Sequence, residues 1–380
     1  MQNFTVHMPT KIIFGTDSMD QIGENIHSYG KKVLLTYGGG SIKKNGIYDK
    51  VKSQLKDCEV KEFSGIEPNP RVETLRQAIE LGKEFKPDII LAVGGGSVID
   101  GSKLISAALL VETDAWDLVL GNGVVQQTVP LACVLTVSAT GTEMNRAAVI
   151  TNWTTHEKMA FKNDLCKPKF SILDPQNTFS VSWEQTAYGI VDIYSHVLEQ
   201  YLNTTLDAPL QDRFAEGILL TLHENATEIK SNLKNYEARA NVMLCSTLAL
   251  NSLIAAGVSE DWACHQIEHE LSAFHDIPHG AGLAIVTPRW MRQVWSEKLA
   301  KFVQFGRRVH GLRGSDEEVA QEVIESLYDF FTSLDIRMNL TEWGIDSQNF
   351  TTMVERLAQR GIGEQPLIHQ QIEAILQGCL

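Results

Sequence analysis

Short β-branched and aliphatic runs alternate with amphipathic stretches from Met1 to about Phe170, the rhythm of strands separated by helices. Val33-Leu34-Leu35-Thr36-Tyr37 and Ile89-Ile90-Leu91-Ala92-Val93 are apolar almost without interruption, which predicts parallel strands covered by helices on both faces. Each of the two runs into Gly-Gly-Gly-Ser. A third run, 131–137, leads into the small-residue turn Ser138-Ala139-Thr140-Gly141-Thr142. Ligands of open α/β sheets gather at such carboxyl ends. After Asp174-Pro175-Gln176-Asn177-Thr178 the strand runs give way to helical periodicity, and 184–201, 211–222, 237–256 and 317–334 all read as helices. The expected organisation is a doubly wound, mainly parallel α/β domain over 1–180 followed by an all-helical domain over 181–380. The two Gly-Gly-Gly-Ser copies have unrelated flanks, so they mark two βα units and not a solenoid repeat.

A chain of 380 residues with 43% hydrophobic and 21% charged positions can fill two such cores. The excess of 47 Asp+Glu over 33 Lys+Arg, a formal charge of -14, has the wrong sign for a phosphate backbone or an anionic membrane, which argues against nucleic-acid and membrane partners. No eighteen apolar residues stand together and no basic, then apolar, leader opens the chain, so a cytoplasmic protein is expected. Cys58, Cys133, Cys166, Cys245, Cys264 and Cys379 lack paired spacing, which fits reduced thiols and leaves any metal to other ligands.

Gly94-Gly95-Gly96-Ser97 follows a buried strand and opens a helix, the setting in which backbone N–H groups and the helix dipole hold a phosphate. One such run is an ordinary strand-to-helix turn. A second, Gly38-Gly39-Gly40-Ser41, places two phosphate-accepting loops on one sheet and points to a dinucleotide. No carboxylate stands near Gly38 to take ribose hydroxyls. Ser41, Lys43 and Lys44 follow instead, a donor and positive charge suited to the 2'-phosphate of NADPH, although solvated lysines are the commoner case.

Asp192 and His196 lie four apart in a helical stretch, roughly 40° apart around the axis, so both can touch one ion. Taken alone, the pair also suits the wet face of an amphipathic helix. His265, His269, His275 and His279 then bring four of the eleven histidines into fifteen residues. His265, Glu268, His269 and Ser272 share a helical face opposite Ile267, Leu271 and Phe274, and Pro278 ends that helix in a turn carrying His279. Beside the Asp192/His196 pair this density suits an imidazole–carboxylate site for Zn2+ or Fe2+.

With these motifs on the page, the sequence resembles the iron-containing alcohol dehydrogenase family, and within it the NADPH-dependent aldehyde reductases and butanol dehydrogenases, over nearly its whole length. Glu67-Pro68-Asn69-Pro70, Ala139-Thr140-Gly141-Thr142-Glu143, Asp174-Pro175 and Asp212-Arg213-Phe214-Ala215-Glu216-Gly217 join the glycine turns in carrying the likeness. The resemblance implies a metal held by Asp192, His196, His265 and His279, with His269 as a further active-site histidine. It implies cofactor contacts from Gly38, Gly39, Ser41, Gly94, Gly95, Gly96, Ser97, Asp100, Thr136, Thr140 and Lys158. It also implies a homodimer, joined near Phe4 to Phe14, and hydride transfer from NADPH to a small, metal-polarised aldehyde, reversibly giving an alcohol. Glu268 and Ser272 depart from the family pattern, which has Ala and Gly at these positions in many members; the departures bear on substrate and metal preference. Two other readings remain: a metal- and NAD-dependent lyase or cyclase of dehydroquinate synthase architecture, and a noncatalytic module in which the histidines only staple the fold.

Overall fold

The computed structural model describes residues 1–380. Its contacts divide the chain into two units, one comprising His7–Val181 and Leu233–Thr247, the other Met1–Val6, Ser182–Asn232 and Leu248–Leu380.

The first unit contains strands β1 (Lys11–Phe14), β2 (Lys32–Tyr37), β3 (Glu59–Ser64), β4 (Ile89–Gly94), β5 (Leu131–Leu135), β6 (Ala147–Asn152), β7 (Glu157–Lys162) and β8 (Phe170–Leu173). Among them lie helices α1 (Ile22–His27), α2 (Ser41–Lys44), α3 (Ile47–Gln54), α4 (Val72–Phe85), α5 (Gly96–Ala108) and α6 (Ala115–Val119). Six strands pair in parallel in the order β1-β8-β5-β4-β2-β3, and β6 and β7 form a separate antiparallel hairpin. Alternate residues feed two cores. Leu34, Ile90, Ala92, Leu131 and Cys133 pack with Leu75 of α4 and Ile105 of α5, whereas Val33, Leu35, Ile89, Leu91 and Val134 pack with Ile22 of α1 and Val51 of α3. Helices therefore cover both sheet faces, as the uninterrupted apolar runs predict. The chain leaves β2 for β3 at one edge but leaves β4 for β5 in the opposite direction, so the topology reverses between β2 and β4. That is where open α/β sheets place a ligand, and both Gly-Gly-Gly-Ser turns leave from it.

The remaining helices are α7 (Trp183–Tyr201), α8 (Pro209–Ser231), α9 (Tyr236–Ala249), α10 (Ala263–His275), α11 (His279–Val294), α12 (Leu299–Arg308), α13 (Asp316–Ser333), α14 (Phe350–Arg360) and α15 (His369–Gly378). The change from strands to helices near residue 180 matches the sequence boundary, but a single cut into 1–180 and 181–380 does not describe the chain. Most of α9 belongs to the sheet unit, where Met243 enters the core and the Thr247 hydroxyl donates to buried Glu143 at 2.5 Å. Met1–Val6 belongs to the helical unit, where the Gln2 N–H donates to the Gly257 carbonyl at 2.9 Å. The α9 helix also stops short of residue 256: the Asn251 side chain accepts the Leu253 N–H, and Ser252 takes a left-handed φ of 76° that a helix cannot continue. α8 runs nine residues past the expected 222 because Ala226 and Ile229 prolong its buried stripe. No helix is long and apolar enough to cross a membrane.

A buried brace ties α5 to the turn after β5. Lys103 has no solvent exposure, and its ammonium donates to Thr142 Oγ1 at 2.6 Å, Asn145 Oδ1 at 2.9 Å and the Ala147 carbonyl at 2.7 Å. Asp100 accepts from the Thr142 hydroxyl at 2.6 Å and from the Val149 N–H at 2.8 Å, one bond to each carboxylate oxygen. The sequence reading gives Asp100 to the cofactor; the structure gives it a bracing part, since both its oxygens fix the 142–149 turn. Asp100→Ala is accordingly expected to cost about 3 kcal/mol of stability, as charge-assisted hydrogen bonds are lost from a buried network. Unfolding in urea without cofactor checks this, and an unchanged midpoint would return Asp100 to the ligand.

Candidate functional site

α7 is buried all round from Thr186 to Tyr201, so the wet helix face that the Asp192/His196 spacing alone permits does not exist. Asp192 and His196 are 2% and 5% exposed. α10 begins after Trp262, which takes a left-handed φ of 65°, and turns His265 toward the same point. Pro278 serves as the N-cap of α11, so His279, read from sequence as a turn residue, is the first residue of a helix. Gly280 permits this approach: a Cβ there would collide with the Tyr188 backbone of α7.

Three nitrogens surround one carboxylate oxygen. Asp192 Oδ1 lies 3.4 Å from His196 Nδ1, 3.7 Å from His265 Nε2 and 3.6 Å from His279 Nε2. These separations are long for hydrogen bonds, yet two tetrahedral ligands of one Zn2+ or Fe2+-sized ion lie about 3.4 Å apart when each bond is about 2.1 Å. Asp192 Oδ1, His196 Nδ1 and His265 Nε2 are buried and have no hydrogen-bond partner. Orphaned polar atoms of this kind are costly unless something binds them, and a divalent cation satisfies all three. The donor set therefore fits a metal. The His196 and His265 rings stack with centroids 4.5 Å apart, and Trp262 stands edge-on to both.

Two carboxylates stand behind the imidazoles. Glu199, seven residues after Asp192 on α7, accepts a bond from His265 Nδ1 and another from the Cys264 N–H at 2.6 Å, tying the start of α10 to α7. Glu268 meets His279 Nδ1 and accepts from the Ser272 hydroxyl. Each of these histidines thus turns Nδ1 to a carboxylate and Nε2 to Asp192. Sequence reasoning missed Glu199, whose i+7 spacing from Asp192 was the available signal, and placed Glu268 only beside the site.

The electrostatics follow from burial. Desolvation opposes ionisation of Asp192, but His196, His265 and His279 hold its carboxyl down at about 2. Burial pushes the His196 imidazole down to about 4. Burial also disfavours a charged His265, yet Glu199 and Asp192 hold it up to about 9. The cage is an anionic pocket for a cation, and the exposed side is at His279, whose side chain is 23% accessible. His269 lies on that side: its ring is 5.6 Å from His279 and 6.4 Å from His265, and a donor atom of His269 groups with Glu268 and His279 but not with Asp192.

In the sheet unit, Gly38, Gly39 and Ser41 follow β2, Gly94 to Ser97 follow β4, and Thr136 and Thr140 follow β5, three neighbouring strands. No side chain caps α5, so its first N–H groups are available to a phosphate. Gly96 is obligatory there, because a Cβ would press into the Thr140 side chain. A Cβ at Gly39 would meet nothing within 4 Å. Lys158 lies elsewhere in the topology, buried on the β6–β7 hairpin opposite Thr151.

The model of iron-containing alcohol dehydrogenases matches residues 9–175, and that of the carboxyl-terminal part of the Fe-containing alcohol dehydrogenase family matches 186–380. The probable NADH-dependent butanol dehydrogenase 1 of Bacillus subtilis (strain 168) is 45% identical, over 100% of both chains. The NADPH-dependent aldehyde reductase YqhD of Escherichia coli (strain K12) is 43% identical, over 95% of this chain and 94% of that one. The crystal structure of E. coli K-12 YqhD superposes with a TM-score of 0.97 and 41% identity, covering 100% of this chain and 99% of the other.

Because α11 touches α7 at Gly280, Gly280→Ala is expected to force the helices apart at a cost of about 1–3 kcal/mol. The unfolding midpoint measures it, and a variant as stable as the parent would show that the approach is loose.

Proposed function

The chain belongs to the iron-containing alcohol dehydrogenase family, and from that premise we propose that it reduces aldehydes to primary alcohols, reversibly, by metal-assisted hydride transfer from NADPH. The observation that carries the reading is the convergence of three buried, unpartnered donor atoms on one point beside Asp192. When bound, the ion supplies Lewis acidity toward a carbonyl oxygen and the dinucleotide supplies the hydride. Asp192, His196, His265 and His279 hold the ion, which is Fe2+ or Zn2+, since three imidazoles and a carboxylate accept either. Gly38, Gly39, Ser41, the Gly94 to Ser97 turn, Thr136, Thr140 and Lys158 hold the dinucleotide. His269, on the accessible side, keeps a proton for the oxygen that becomes the alcohol hydroxyl. Relatives named as butanol dehydrogenases and as an aldehyde reductase do not favour a lyase or a noncatalytic staple.

The choice of NADPH rests on the turn after β2, because relatives are named for either cofactor. Glu62, on the adjacent strand β3, is engaged by the Tyr37 and Tyr48 hydroxyls and by Lys52 at 2.7–3.0 Å, and so is not free for a ribose. The Lys43 ammonium lies over the Tyr37 and Tyr48 rings, 5.0 and 4.8 Å from their centroids. The 2'-phosphate thus falls to Ser41, Lys44 and the backbone.

The roles of the two histidines on α10 separate by experiment. His265→Ala is expected to lose the ion; His269→Ala should keep metal and NADPH but reduce aldehydes about 10² to 10⁴ more slowly. Metal analysis beside single-turnover rates decides, and metal loss confined to His269→Ala would exchange the roles. For the cofactor, Gly39→Asp has room for its side chain and is expected to reverse the preference, by repelling a 2'-phosphate and accepting from a free ribose hydroxyl. Equal kcat/KM for NADPH and NADH in the parent would refute the assignment.

A further inference from the structure

His265 is walled in by His196 and Trp262, whereas His279 opens a helix at the accessible side of the cage, its side chain 23% accessible and the His265 and His269 rings 5.5 and 5.6 Å away. An imidazole in that position can turn about its Cβ–Cγ bond and exchange the places of Nδ1 and Nε2. What opposes the turn is Glu268, fully buried, with one oxygen on His279 Nδ1 and the other on the Ser272 hydroxyl. Glu268 and Ser272 are hydrogen-bonded to each other, one turn apart on α10. A third residue completes the unit. A Cβ at Gly282, on the facing turn of α11, would lie 2.8 Å from Glu268 Cγ and 3.0 Å from its Oε1, so the carboxylate has its place only because residue 282 has no side chain.

We propose that Glu268, seated by Ser272 and by the absent side chain at Gly282, is the positioning residue that fixes the orientation of His279 and strengthens it as a ligand. The inference rests on the metal-site reading above and extends it to residues outside the ligand set. With both Glu268 oxygens occupied by His279 and Ser272, the carboxylate acts through the imidazole and not on the ion itself. Outer carboxylates of this kind fix the tautomer and ring angle and raise the basicity of the ligating nitrogen.

The test is Zn2+ affinity of the metal-stripped full-length protein, measured by competition with a chromophoric chelator, beside the unfolding midpoint of each metal-free variant. The parent is expected to bind one Zn2+. Glu268→Ala should bind it about 10–100-fold more weakly. Glu268→Gln, which keeps an acceptor for Nδ1–H, should recover most of that loss. Gly282→Ala should also weaken binding, and because it acts through Glu268, the double variant Glu268→Gly with Gly282→Ala should bind no worse than Glu268→Gly alone. If Glu268→Ala binds Zn2+ as the parent does, or the two losses multiply, the proposal is overturned. If Glu268→Gln fails as completely as Glu268→Ala, the carboxylate is itself a ligand and the positioning role is wrong. A parent that binds no Zn2+ while Asp192→Ala behaves identically would instead overturn the metal-site reading beneath it.

Discussion

A carboxylate buried in the middle of a helix with no wet face is the constraint on which the helical unit depends. Removing an ionised group from water costs several kcal/mol unless partners replace the lost hydration. Asp192 has three imidazole nitrogens within 3.4–3.7 Å and none at a good hydrogen-bonding distance. The fold nevertheless brings those imidazoles from three helices to one oxygen. Glu199 ties α10 to α7, and Gly280 lets α11 touch α7.

The sheet unit answers to a different constraint, the direction of its strands. Parallel strands put every carboxyl end on one edge, and the reversal between β2 and β4 leaves that edge open where the two glycine turns emerge. The uncapped N-terminus of α5 needs an anion or water, while its body is buried and cannot move to meet one. The Asp100–Thr142–Lys103 brace immobilises the opposite wall, so the small residues after β5 stand in place before any ligand arrives. Such preorganisation is what makes backbone N–H groups effective toward phosphate.

The strands were legible in the sequence because burial on both faces leaves an unmistakable apolar run, and the clustering of Asp192/His196 and the histidines of 265–279 because they depart so far from ordinary composition. What escaped was tertiary. Nothing local distinguishes α9 from the helices that follow it, yet Met243 and Thr247 find their partners in the sheet unit. Asp100 stands beside a glycine turn, and only the fold shows that its oxygens also bond the Thr142 hydroxyl and the Val149 N–H. The α9 end was misplaced because an aliphatic composition through Ala256 hides the backbone reversal at Ser252. Glu199 is a helical carboxylate like many others until α10 is laid against it.

Charge balance joins the outer carboxylates to the ion. Asp192, Glu199 and Glu268 are all almost fully buried. Ionised together and facing neutral imidazoles, they would leave three uncompensated charges in a low-dielectric interior, which a protein avoids by taking up protons. Without an ion the compensating proton resides on an imidazole, as at His265, held up to about 9 by Glu199 and Asp192. A divalent cation would offset two of the three charges at once and, held by His265 and His279 through Nε2, would leave their Nδ1 protons with Glu199 and Glu268. At His265 and His279, though not at His196, whose Nδ1 faces Asp192, a proton and a metal would then compete for Nε2 while a carboxylate takes Nδ1.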